Sequence, residues 1–175
     1  CWRADLWDEL KQLGATDYHF VGTQKSMGCS GRKFDGAHEG YPAIKATTAE
    51  SGPASMGGKP WDQRPLNTIL ATIKPDISLI LLGVNDMAFG GKPAKITAAF
   101  SKLVDQMRAN KPTMQIIVAK IPPMKLAKVD ALNAEIAVWA PKKSTAESPI
   151  TVVDCFTGYD ASADNSDGVH MNAKG

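Results

Sequence analysis

The sequence predicts an α/β fold, a parallel β-sheet covered by helices on both faces. Three observations predict it. Four short apolar runs read as strands, and three of them are nearly continuous, as strands buried on both faces require. Segments with apolar residues at helical spacing alternate with those runs. The polar clusters follow the strands, where the carboxyl-end loops of a parallel sheet lie.

Taken in order, the first helical pattern uses Trp2, Leu6, Leu10 and Leu13, with Gly14 as its stop. The run DYHFVG (17–22) reads as the first strand. Segment 22–60 is rich in Gly, Ser and Pro and too long for a plain connector, which marks a functional loop region. Leu66, Ile69, Leu70 and Ile73 form the second helical pattern, closed by Lys74–Pro75. The strand DISLILLG (76–83) follows. A third pattern, Ile96, Phe100, Leu103, Val104 and Met107, leads to the strand MQIIVAKI (114–121). A fourth, Val129, Leu132, Ile136 and Trp139, is closed by Pro141 and leads to ITVVDC (150–155). Segment 156–175 is again irregular.

The chain has 175 residues, enough for one domain (1–175) with a full core. Its net charge is +2, and its basic residues are scattered apart from Lys142–Lys143. That argues against nucleic acid or a membrane surface as partner. No apolar run reaches the ~18 residues of a spanning helix. The chain starts at CWRADLWDEL without a Met and stops at MNAKG, which reads as a domain cut from a longer protein at both ends. There are three cysteines and no C-x-x-C spacing, so no zinc site is expected. Cys155 closes an apolar run and is expected to be buried. Cys1 and Cys29 are candidates for a disulfide. Asp160, Asp164 and Asp167 lack the spacing and closing Glu of a calcium loop and read as an Asp-rich turn, with calcium as the weaker alternative.

Three polar clusters fall on one sheet edge. After 76–83 comes Gly83-Val84-Asn85-Asp86. After 150–155 comes the loop of Asp167 and His170. After 17–22 comes the loop of His38, Glu39 and Gly40. This set permits acyl transfer. A histidine base needs a carboxylate to fix its tautomer. An asparagine amide and a backbone N–H can hold an oxyanion. Each cluster alone is weak: G-V-N-D also suits a turn, and D-x-x-H occurs twice, as Asp35–His38 and Asp167–His170.

Together, G-V-N-D and the late D-G-V-H resemble the third and last blocks of the SGNH hydrolases, the GDSL-type esterases. Gly40 in HEGYPAI matches the second block. The wider text, from HEGYP to DGVHMN, resembles carbohydrate esterase family three, the secreted acetylxylan esterases. The resemblance implies a three-layer α/β/α, flavodoxin-like sheet with strand order 2-1-3-4-5. It implies His170 as base, Asp167 as its orienter, and Asn85 and Gly40 as oxyanion donors. His38, Tyr41 and Asp86 are assigned to substrate binding, and Trp61 is a further aromatic candidate. Where the family often carries Gly, this chain has Ala43. The first block, Gly-Asp-Ser, is absent from the 175 residues. Ser26 and Ser30 do not sit on a strand-to-helix turn, so the nucleophile and the first strand are expected upstream of residue 1. The expectation is a secreted, monomeric serine esterase acting on acetylated plant cell-wall polysaccharide, without cofactor or metal. The alternatives are a lipid or small-ester hydrolase of the same fold, or a non-catalytic carbohydrate-binding domain.

Overall fold

Three parallel strands frame the protein in the computed structural model, which describes residues 2–25, 31–49, 66–125 and 127–175. They are β3 (Ile77–Ile80), β4 (Gln115–Ala119) and β5 (Ile150–Val153), in the order β3-β4-β5. Ser78 and Ile80 pair with Ile116 and Val118, which pair with Ile150 and Val152. Side chains alternate across a strand, so these six residues share one face. Ile80, Ile116 and Val118 on it are buried.

The connections explain which face is covered. Right-handed crossovers between adjacent parallel strands put successive helices on the same side. These helices are α5 (Pro93–Asn110) and α6 (Asp130–Lys143). Pro93 opens α5, where its fixed φ and missing N–H cost nothing. Ile96, Phe100, Leu103, Val104 and Met107 follow at helical spacing and are buried. They meet Leu132, Ile136 and Trp139 of α6 in the core, together with Leu70 of α3 (Leu66–Ile73). Phe100 and Trp139 stack edge to face with centroids 5.5 Å apart, and Trp139 Nε1 donates to Ser101 Oγ at 2.8 Å. Arg108 ties the far ends together, donating to Ser148 Oγ, Ser148 O and Lys143 O. On the opposite face Ile77, Leu79, Leu81 and Val153 remain 40–51% exposed.

Pro141 does not close α6; the helix runs two residues further, to Lys143. A proline this near the end removes a single intrahelical bond, and Ser144 N still reaches Ala140 O. Cys155 is exposed rather than buried. β5 ends at Val153, and Asp154 accepts Phe156 N, Thr157 N and Thr157 Oγ1, so Cys155 sits in a turn outside the sheet.

The chain divides into two compact units, Cys1–Gly40 and Tyr41–Gly175. The first contains α1 (Trp2–Gln12) and the hairpin of β1 (Gln24–Lys25) with β2 (Ala37–His38). Residues 17–22, expected as a strand, form none. Tyr18 and Phe20 instead pack on Trp7 of α1, at centroid distances of 4.6 and 5.3 Å, and Tyr18 Oη donates to Trp7 O. Cys1, Cys29, Ser26, Ser30 and Trp61 lie outside the described residues.

One buried amide joins sheet to helix. Asn133 of α6 accepts from Ile121 N at 2.8 Å and donates to Ile121 O at 2.9 Å. Asn133→Ala leaves both Ile121 groups without partners in the core. The expected loss is about 1–3 kcal/mol of unfolding free energy, read as a lower urea midpoint with an unchanged m-value.

Candidate active site

The G-V-N-D turn starts at the third residue after β3. Gly83 adopts φ 103°, a conformation that side chains rarely take. A Cβ there would also come within 2.7 Å of Leu132 Cδ2. Only glycine fits this position, and it lets α4 (Val84–Ala88) start with three residues between it and the strand. Asn85 thus projects from a short helix just beyond the carboxyl end of β3. Its Nδ2 donates to Ile44 O at 2.9 Å.

Asp86 has a different task from the substrate contact expected of it. It is 3% exposed, and its carboxylate accepts Ala46 N at 2.7 Å, Thr47 N at 3.1 Å and Thr47 Oγ1 at 2.7 Å. It therefore caps α2 (Ala46–Ala49) from outside that helix. A buried carboxylate is tolerated only when its oxygens are engaged in this way. Asn85 and Asp86, neighbours in sequence, clamp the 44–47 segment to the turn. The sequence held no signal for this partnership between residues about 40 apart.

Asp167 and His170 form one unit beyond β5. His170 Nδ1 lies 2.7 Å from Asp167 Oδ2. Asp167 Oδ1 also accepts Val169 N at 2.9 Å and His170 N at 2.8 Å. The loop closes on itself through Ser166 N to His170 O and the Asn165–Met171 bridge. It is tied to the loop after β4 by Lys125 N donating to Gly168 O at 2.8 Å. The N–H of His170, its ring and the N–H of Val169 hold the Asp167 carboxyl well below the usual carboxylate range. An ionised Asp167 beside Nδ1 fixes the ring proton there and leaves Nε2 as the basic nitrogen. The His170 side chain is 78% exposed, so that nitrogen is accessible. Among the described residues no serine hydroxyl bonds this ring; Ser166 Oγ donates to the His170 carbonyl instead.

The other expected site residues are placed as follows. Tyr41 is only 8% exposed. Gly40 N–H, expected as an oxyanion donor, donates to His38 Nδ1 at 3.0 Å. His38 Nδ1 thus accepts from its own loop. Asp35 and His38 are not an acid–base pair: Asp35 accepts Ala37 N, and its nearer histidine is His19, at 3.7 Å. Among the described residues no group of three His, Cys, Asp or Glu is arranged to hold a metal ion. Asp164 accepts Asp160 N and pairs with Lys174, while Asp160 accepts Ser162 N and Oγ.

With Asn85 after β3 and the Asp167–His170 pair after β5, the comparison with known proteins follows. The family model of the GDSL-like lipase/acylhydrolases matches residues 6–175. The chain belongs to that family. A multidomain esterase of Ruminococcus flavefaciens is 28% identical over 193 residues, covering 95% of this chain. This chain spans only 23% of that esterase. A crystal structure of a serine-to-alanine mutant of an acetyl esterase, holding an acetate ion, superposes with TM-score 0.86 at 29% identity, covering 99% of this chain and 83% of the other. A family 3 carbohydrate esterase of Talaromyces cellulolyticus gives TM-score 0.86 at 28% identity with the same coverage. The family 3 esterase of Clostridium thermocellum gives 0.79 at 26%, covering 99% and 78%. This GDSL-like domain thus has the SGNH esterase fold, and its structural neighbours are carbohydrate acetyl esterases.

Two outcomes test the local geometry. Ala43 sits at φ 58°, the left-handed region that L-residues avoid. Ala43→Gly should raise the unfolding free energy by about 0.5–1 kcal/mol, the relief of that strain less the extra freedom of glycine when unfolded. The second concerns His38. Burial, then the Arg3 charge, push its pKa down, partly opposed by Glu39. A depressed folded value means stability is present above the unfolded histidine pKa and is lost as pH falls through the folded one. In an NMR titration His38 should protonate below the ordinary histidine range, and the Gly40 amide resonance should move with it. An unmoved Gly40 amide would break the link.

Proposed function

We propose that this domain is a serine esterase that removes acetyl groups from plant cell-wall polysaccharide through an acyl-enzyme. The single observation that carries the reading is the Asp167–His170 contact at 2.7 Å, with the ring open to solvent. In this mechanism His170 Nε2 takes the proton of a serine hydroxyl as the serine oxygen attacks the acetyl carbonyl. Asp167 supports the imidazolium that forms. Asn85 donates to the oxyanion through its amide. The imidazolium then gives its proton to the departing sugar hydroxyl, and water releases acetate by the reverse sequence.

No Gly-Asp-Ser occurs in the 175 residues, and no residue among them is assigned as the nucleophile. The sugar ester and the secreted, monomeric state are part of the same proposal. Likeness to family 3 carbohydrate esterases and to an acetyl esterase that holds acetate supports the sugar ester alone.

The test uses the protein that carries this domain. His170→Ala should lower kcat on an aryl acetate by several orders of magnitude, because base and nucleophile act as a unit. Asp167→Asn keeps the shape, removes the tautomer control and should cost about 10⁴-fold. Asn85→Ala should cost roughly 10²–10³-fold in kcat. Near-full activity in His170→Ala would sink the assignment, and an effect of Asn85→Ala confined to KM would make it a binding residue.

A further inference from the structure

We propose that Lys45 and Phe89 form a substrate subsite for an acidic sugar unit, a uronic acid, in the acetylated polysaccharide. The inference rests on the esterase reading above and extends it to the class of polymer.

Both residues are registered to Asn85 by backbone geometry. Phe89 is one helical turn beyond Asn85, and its N–H donates to Asn85 O at 3.2 Å. Lys45 lies between Ile44, whose carbonyl takes the Asn85 amide, and Ala46, whose N–H is held by Asp86. The two side chains meet: Lys45 Nζ sits 4.6 Å from the centroid of the Phe89 ring. So an aromatic ring and a cation are fixed together beside the asparagine assigned to the oxyanion.

Among the described residues neither side chain has a task in the fold that accounts for it. Phe89 is 54% exposed, although the core of this unit buries Phe100 completely and has Phe156, partly buried, packed against it. Lys45 meets no carboxylate among the described residues, whereas Lys120, Lys143 and Lys174 face Asp154, Asp105 and Asp164. An exposed aromatic face suits the C–H face of a pyranose, which is apolar while its rim is polar. An ammonium held against a ring rather than a carboxylate keeps its charge available to an anion. A neutral sugar would use the ring alone; a uronic acid uses both groups.

The experiment measures binding by calorimetry with unacetylated probes, so it does not depend on turnover. The ligands are a glucuronic-acid-substituted xylo-oligosaccharide and an unsubstituted one of the same backbone length. The wild-type protein should bind the acidic ligand about tenfold more tightly at low salt, with the preference shrinking as salt rises. Lys45→Met should erase the preference and leave neutral binding, while Phe89→Ala should weaken both. Circular dichroism confirms that both variants fold. Equal binding of the two ligands by wild type, binding of neither, or a preference that survives Lys45→Met overturns the proposal. Aryl acetate turnover by the wild type separates the two readings: no turnover rejects the esterase, whereas turnover without acidic preference rejects only the subsite.

Discussion

Everything at the candidate site depends on one constraint, that β3, β4 and β5 run in the same direction. Parallel strands end together, so the segments after Ile80, Ala119 and Val153 leave the sheet along one edge. Right-handed crossovers carry α5 and α6 across one face and keep them away from that edge. Helices supply the core; loops supply the chemistry. Each of the three loops is then fixed by a polar contact back to the frame. Asp86 and Asn85 hold the 44–47 segment, Asn133 holds Ile121, and Lys125 N–H holds Gly168 O. The site is a set of loops, but not a loose one.

Two aspartates show how environment divides labour within one residue type. Asp86 is buried and spends its oxygens on two backbone N–H groups and a hydroxyl, which makes it a clamp. Asp167 is half exposed and spends one oxygen on backbone N–H groups and the other on the His170 ring. Its carboxyl stays ionised at any pH where a histidine base works, because the same bonds hold its pKa below the usual range. With a depressed pKa, the pair's contribution to stability is complete above the usual carboxylate range and fades only as pH falls through the lowered value. The charge beside the His170 ring is therefore held through the neutral pH range.

The sequence was most legible where periodicity is long and local. The patterns at 66–73, 93–110 and 130–143 became helices because their apolar residues face one core. The apolar runs at 76–83, 114–121 and 150–155 became strands because each has a neighbour to pair with. Residues 17–22 have the composition of a strand but, among the described residues, pair with no strand, and Tyr18 and Phe20 pack on Trp7. Composition reports that a segment is apolar; it cannot report whether a second backbone is at hand. The same limit applies to side chains. Tyr41, Asp86 and Cys155 were misread because burial is decided by where the turns fall. Asp167–His170 was legible because three residues of separation in a turn already bring the two groups together. Asp86 with Thr47 was not, since only the tertiary fold joins them.

The open face of the sheet carries the last step. Ile77, Leu79 and Leu81 alternate with Ser78, Ile80 and Leu82, so β3 and the residues after it are apolar on both sides. The helices α5 and α6 satisfy one side. The other leaves three large aliphatic groups 40–51% exposed, and covering a side chain of this size fully is worth about 1.5–3 kcal/mol. β3 also pairs along only one edge among the described residues, with β4. A strand bordering water on one face gains nothing from apolar residues there, and an unpaired apolar edge invites association. The run 76–83 therefore has the composition of an inner strand and, among the described residues, the position of an edge strand. That mismatch lies along the strand that delivers Asn85. Whatever completes β3 thus bears on the placement of Asn85 as well as on stability, because Gly83, Asn85 and Asp86 follow it within six residues.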